Sequence, residues 1–119
     1  MKKIRVCIVD DCAVGVDGLR GILKPHQDVE VVGEASDGLD AVTMAQRLRP
    51  DVMLMDAQMP GIDGIEATRR IKALLPDTRV LFMAIHLSHV DPAMEAGADC
   101  CVMKDSTRQE LLDAIRRLA

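Results

Sequence analysis

The chain has 119 residues, a formal charge of −4 and a composition that is 49% hydrophobic and 29% charged, a size ordinary for one folded unit and short for two. An acidic balance with one aromatic residue, Phe82, argues against a surface built for nucleic acid, which calls for a basic face and stacking rings. No apolar run approaches the roughly 18 residues of a membrane span, and the four cysteines lack the paired spacing of a zinc site, so they read as free thiols of a cytoplasmic protein.

The basic opening Met1 to Arg5 leads into a strand pattern rather than a leader peptide. From there, short apolar runs alternate with amphipathic stretches, the pattern of a parallel sheet covered by helices. Ile4 to Val9 reads as a buried strand, and Ala13 to Lys24 as a helix with Leu19, Ile22 and Leu23 on one face, stopped by Pro25. Gly15, Gly18 and Gly21 inside that helix each cost about 1 kcal/mol relative to alanine, which signals close packing or a loose helix. Val29 to Ala35 predicts a second strand. Leu39, Val42, Ala45 and Leu48 mark a second helix that closes before Pro50.

Val52 to Asp56 is the third strand, running into a tight loop at Met59, Pro60 and Gly61. A third helix carries Ile65, Ile71 and Leu74. Val80 to Ala84 and Cys100 to Met103 supply strands four and five. Thr107 with Glu110 three residues on is a capping box, opening a last helix with Leu111, Leu112, Ile115 and Leu118 inward. Residues 1–119 therefore predict one doubly wound α/β domain.

In such a sheet, ligands bind beyond the carboxyl ends of the strands. Asp10 and Asp11 end strand one, Asp56 ends strand three and Lys104 ends strand five. With strands one and three as neighbours, three carboxylates meet in a small volume, where like charges repel and a proton is retained unless a cation intervenes. Magnesium prefers oxygen ligands and keeps several waters, so these acids with a backbone carbonyl and a phosphate oxygen suit it. The Lys104 ammonium on the other side would neutralise the oxygens of a phosphoryl group transferred in line, with Asp56 as the nucleophile. Taken singly, each aspartate is better explained by a loop or cap role. The set, at three strand ends, is what points to chemistry.

The segments IRVCIVDDCAVGVDGLRGIL, VEVVGEASDGLDAV, RPDVMLMDAQMPGIDGIEATRRIK, DTRVLF and AGADCCVMKDS resemble, in order and spacing, the blocks of response-regulator receiver domains. The resemblance is specifically to the NarL/FixJ (LuxR-type) family of two-component systems, and it covers the whole chain. It implies a flavodoxin-like fold, with a five-stranded parallel sheet in the order 2-1-3-4-5 and helices on both faces. It also implies Asp56 as the phosphoacceptor, Asp10 and Asp11 as the metal-binding pair, the backbone carbonyl of Gln58 as a further Mg2+ ligand, and Lys104 as the family's invariant lysine.

Members of that family take their phosphoryl group from a sensor histidine kinase, often form homodimers, and usually carry a separate helix-turn-helix output domain that regulates transcription. The resemblance thus implies a domain that binds neither nucleic acid nor membrane directly. It implies no enzyme beyond self-phosphorylation from small donors and autodephosphorylation.

Three departures bear on the switch. Ala84 stands where the family has Thr or Ser, whose hydroxyl bonds the phosphoryl group; losing a hydrogen bond to a charged acceptor removes about 1.5–3 kcal/mol, the size of a typical allosteric coupling. Cys101 stands where the family has a Tyr or Phe whose ring reorients on activation. The stretch from Ile85 to Ala96 is shorter than usual; Asp91 as N-cap, Pro92 at the first helical position and Gly97 as stop predict a fourth helix barely longer than one turn.

His86 falls at a position that, with Gln58, tunes phosphate lifetime in the family, and it reads equally well as an exposed loop histidine. The resemblance leaves two functions open: a phosphoacceptor switch, and a pseudo-receiver interaction module that keeps the acidic pocket without switching on phosphorylation. An aspartate-nucleophile phosphohydrolase is disfavoured by Cys12, which stands where such enzymes place a second aspartate.

Overall fold

The computed structural model describes residues 2–59 and 61–119; Met1 of the predicted basic opening and Pro60 of the predicted tight loop lie outside the described residues. Three strands are apolar almost without interruption: β1 (Ile4–Val9), β3 (Val52–Asp56) and β4 (Arg79–Ala84). Strands of that kind must be covered on both faces. With β2 (Val29–Ala35) and β5 (Cys100–Met103) at the edges, they form a parallel five-stranded sheet in the order β2-β1-β3-β4-β5, as the resemblance implied.

Successive residues of a strand point to opposite faces, and the helices divide accordingly. Val6, Ile8, Leu54 and Leu81 pack with Leu23 of α1 (Ala13–Leu23) and with Leu111, Leu112 and Ile115 of α5 (Arg108–Leu118). Cys7, Val9, Met53, Met55 and Phe82 pack instead under α2 (Gly38–Leu48), α3 (Gly64–Leu74) and α4 (Val90–Glu95). Each fully buried Leu, Ile, Met or Phe contributes about 1.5–3 kcal/mol of transfer free energy, which is why two-sided burial dominates the fold.

Helix starts follow from side-chain caps. Asp37, Asp63 and Thr107 accept the amide protons of Asp40, Glu66 and Glu110 at 2.8, 2.9 and 3.1 Å. Of the capping box predicted at Thr107, the N-cap half forms, while the Glu110 carboxylate accepts the Thr107 hydroxyl at 3.1 Å instead of its backbone amide.

Leu39 and Leu74, which mark the second and third helices in the sequence, are 56% and 52% exposed. Mostly small residues take the inner faces: Gly38, Ala41 and Ala45 beside Met44 in α2, and Gly64, Ala67 and Thr68 beside Ile71 in α3. Short side chains let the helices sit close to the sheet and each other, which turns the bulkier leucines outward.

The fourth helix is short, as predicted, but begins differently. A 3₁₀ turn over Leu87–His89 leads into α4, so Asp91 and Pro92 are its second and third residues rather than its cap and first. Proline is accepted there because the amides of the first turn have no partner within the helix. Gly97 ends it with φ +109°, and the Gly97 and Ala98 amides donate to the carbonyls of Met94 and Ala93, both at 3.1 Å. At the amino ends of the strands, Lys72 Nζ donates to the Pro76 and Thr78 carbonyls and to Asp99 Oδ2, each at 2.9 Å, and Asp99 Oδ2 also accepts the Val80 amide at 2.8 Å.

Candidate functional site

β1 and β3 run side by side with Val9 opposite Met55, so the next residues along, Asp10 and Asp56, emerge together at the carboxyl edge of the sheet. This is where the strand order reverses. Asp10, Asp11 and Asp56 each present one carboxylate oxygen, and the three oxygens lie within 4.8 Å of one another. Asp10 and Asp56 are buried, while Asp11 faces solvent.

β5 delivers the fourth group. Ala84 pairs with Met103, and the following residue, Lys104, places Nζ 3.0 Å from Asp56 Oδ1 and 3.5 Å from Asp10 Oδ2. The structure thus brings Asp10, Asp11, Asp56 and Lys104 into one pocket. Gln58 sits in the loop directly after β3, exposed.

Burial pushes the Asp56 carboxyl above the usual aspartate range; the hydrogen bond from Lys104 opposes this only in part, and the Asp10 charge adds to the rise. Burial draws the Lys104 ammonium down, but the bond to Asp56 and the charges of Asp56 and Asp10 more than reverse it, so its pKa is raised. Asp10 Oδ1 accepts the Cys12 amide at 2.9 Å, whereas its Oδ2 is buried with no hydrogen-bond partner. A buried carboxylate oxygen left without a donor is costly. Three converging carboxylates, one with an unsatisfied oxygen, fit a hard oxygen-seeking cation such as Mg2+.

Two glycines shape this rim. A Cβ on Gly64, the first residue of α3, would sit 2.0 Å from the Asp56 carbonyl oxygen, so only a bare backbone lets α3 press against the end of β3. Sequence reasoning passed over Gly64; its place directly after the capping Asp63 was the available signal. In α1, close packing holds at Gly15, whose Cβ would lie 2.5 Å from Asp10 Oδ2, and not at Gly18 or Gly21, which face open space.

Ala84 and Cys101, the positions flagged for the switch, lie on the neighbouring strands β4 and β5. Ala84 is buried, and its carbonyl accepts the Lys104 amide. Cys101 lies opposite Phe82 and packs with Val90 and Met103 against the α2, α3 and α4 side; burial pushes its thiol up. His86 is exposed, its ring 5.5 Å from that of His89. All four cysteines are free, and burial pushes the Cys7 thiol up to about 11. Among the described residues, no helix is long and apolar enough to cross a membrane.

Comparison with known proteins matches residues 6–116 to the response regulator receiver domain. The chain is 44% identical over 115 residues to the transcriptional regulatory protein LiaR of Bacillus subtilis (strain 168), covering 95% of this chain and 54% of that protein. It is 38% identical over 116 residues to the response regulator protein VraR of Staphylococcus epidermidis, covering 96% and 56%.

The chain therefore spans about half the length of the curated relatives it matches. A LuxR-family two-component response regulator from Aurantimonas sp. SI85-9A1 superposes with a TM-score of 0.92 at 34% identity, over 98% of this chain and 85% of that one. The signal receiver domain of the putative response regulator NarL from Mycobacterium tuberculosis superposes at 0.88 with 34% identity, over 98% of each chain.

Proposed function

The chain belongs to the response regulator receiver domain family, of the NarL/LuxR type, and from that premise we propose that it is a phosphoacceptor, taking a phosphoryl group from a sensor histidine kinase on Asp56. The observation that carries this reading is the position of Lys104, whose ammonium lies 3.0 Å from Asp56 Oδ1 and 3.5 Å from Asp10 Oδ2. In the proposed step, the Asp56 oxygen that Lys104 does not hold attacks phosphorus. The phosphorus–nitrogen bond of the donor phosphohistidine breaks as an acyl phosphate forms, and the departing imidazole nitrogen takes up a proton.

Lys104 supplies positive charge to the oxygens of the transferred group. Asp10, Asp11, Asp56 and the backbone carbonyl of Gln58 would hold Mg2+, which when bound neutralises charge on the phosphoryl oxygens. The chemistry ends on the chain's own side chain, with no turnover of an outside substrate beyond slow loss of that acyl phosphate.

We read residues 1–119 as one regulatory domain. Partners on this reading are the kinase, a second copy of the chain, and an output domain of the kind that half-length coverage of transcriptional regulators suggests; contact with DNA would belong to that output domain. Incubation with acetyl phosphate and Mg2+ is expected to add one phosphoryl group by mass. No gain, or a gain that persists in Asp56→Ala, excludes this function.

A second reading is favoured by the buried methyl of Ala84 and the small side chain of Cys101: a pseudo-receiver that keeps the pocket and engages a partner without a phosphorylation-driven change. Amide NMR spectra with and without beryllofluoride separate the two. Large shifts between residues 85 and 105 support a switch, and binding without such shifts supports the static module.

A further inference from the structure

We propose that Gly15 is a positioning residue of the acidic site: the bare backbone at this turn of α1 is the space in which the Asp10 carboxylate is held. The inference rests on reading Asp10 as part of the divalent-cation site and adds to it a residue on a different element.

A Cβ built on Gly15 would meet Asp10 Oδ2 at 2.5 Å, Cγ at 3.1 Å and Oδ1 at 3.4 Å, so the whole carboxylate, not only its tip, leans on the helix backbone. The carboxylate has nowhere easy to retreat. Asp10 is 1% exposed, its Oδ1 is held by the Cys12 amide at 2.9 Å, and its Oδ2 faces the Lys104 ammonium at 3.5 Å. Any rotation that relieves the contact must lengthen one of those two interactions and move the oxygens relative to Asp11 and Asp56.

The other glycines of the helix provide the contrast. Gly18 and Gly21 have nothing within 4 Å of an added Cβ. Glycine disfavours helix at all three positions, but only at position 15 does an added methyl strike the site. The obstructing atoms belong to a short side chain rather than to backbone, so the fold can absorb the methyl by displacing the carboxylate. Gly15→Ala is therefore expected to leave the domain folded while damaging the cation site. A glycine that served only to fit helix to sheet would lose stability and leave the site alone.

The test is a Mg2+ titration of the whole chain followed by amide NMR, with Gly15→Ala and Gly15→Ser set beside Gly18→Ala and Gly21→Ala. Both Gly15 variants are expected to bind Mg2+ about tenfold more weakly, the scale on which residues behind metal ligands act, and to move the Cys12 amide proton as its bond to Asp10 lengthens. The Gly18 and Gly21 variants should match the parent in both respects.

Mg2+ affinity within about twofold of the parent in the Gly15 variants, or an equal loss in Gly18→Ala, overturns the inference while leaving the cation site standing. A parent chain that binds no Mg2+ overturns both. Failure of both Gly15 variants to fold beside a folded Gly18→Ala overturns the claim that the carboxylate, rather than the fold, gives way.

Discussion

The carbonyl of Ala84 accepts the amide proton of Lys104 at 2.7 Å, tying the strand end that lacks a hydroxyl to the residue whose ammonium reaches Asp56. Ala84 ends β4 one residue past the partner of Asp56, and its own partner on β5, Met103, directly precedes Lys104. Ala84→Ser should place a donor there, and one hydrogen bond to a charged acceptor is worth about 1.5 kcal/mol or more. Beryllofluoride affinity in the presence of Mg2+ is expected to rise about tenfold, measured by titration. An unchanged affinity would mean that the new hydroxyl does not face the site.

The raised pKa of Asp56 has a thermodynamic sign. The folded chain keeps the Asp56 proton to higher pH than the unfolded chain does, so ionising this carboxyl opposes folding. That penalty is absent below the unfolded aspartate value of about 3.9 and complete above the folded pKa. With divalent cations chelated, Asp56→Asn is expected to be more stable than the parent at pH 7, Asp10 remaining as a partner for Lys104. The advantage should shrink as pH falls below the folded pKa and vanish below about 3.9, the unfolded value. Urea midpoints across pH check this, and a difference independent of pH would refute it.

Ion binding should appear as stability. A cation that binds only the folded chain stabilises it by about 2.7 kcal/mol at one hundred times its dissociation constant. Thermal melts with increasing Mg2+ are expected to shift upward for the parent and much less for Asp11→Asn, which removes the solvent-facing carboxylate of the trio. Added chelator should return both proteins to the same baseline behaviour they show without the ion.

Asp99 ties elements together at the amino ends of the strands. It accepts from Lys72 Nζ and from the Val80 amide, joining the end of α3 to the starts of β4 and β5. Asp99→Ala leaves a half-hidden ammonium and a backbone donor without their carboxylate, a change expected to cost about 3 kcal/mol in urea unfolding. Mg2+ affinity should stay within error of the parent, since the network lies at the opposite end of the strands.

Much of this architecture was legible because strand burial leaves a plain trace. The bounds read for β1, β2, β3 and β5 coincide with those observed, each being a short apolar or β-branched run between turn residues. The meeting of Asp10, Asp11, Asp56 and Lys104 followed from the strand ends together with the strand order that the resemblance implied.

What stayed hidden depends on distances between elements. Nothing local to Gly15 or Gly64 says that a carboxylate or a carbonyl oxygen lies against its backbone; that is set by how α1 and α3 cross the strand ends. Leu39 and Leu74 mark their helices but not the buried faces, because close helix packing favours glycine and alanine inside. At α4, the capping preference of Asp91 gave way to a 3₁₀ turn that had already started the helix.

That fourth helix has six residues, preceded by a 3₁₀ turn and closed by Gly97. So few backbone bonds hold little cooperative free energy, so this segment is expected to open locally at lower cost than its longer neighbours α3 and α5. In a receiver with Cys101 in place of an aromatic, the order of this stretch, which follows directly on the Ala84–Lys104 junction, is the surface property expected to respond there, and hydrogen exchange of its amides would read it.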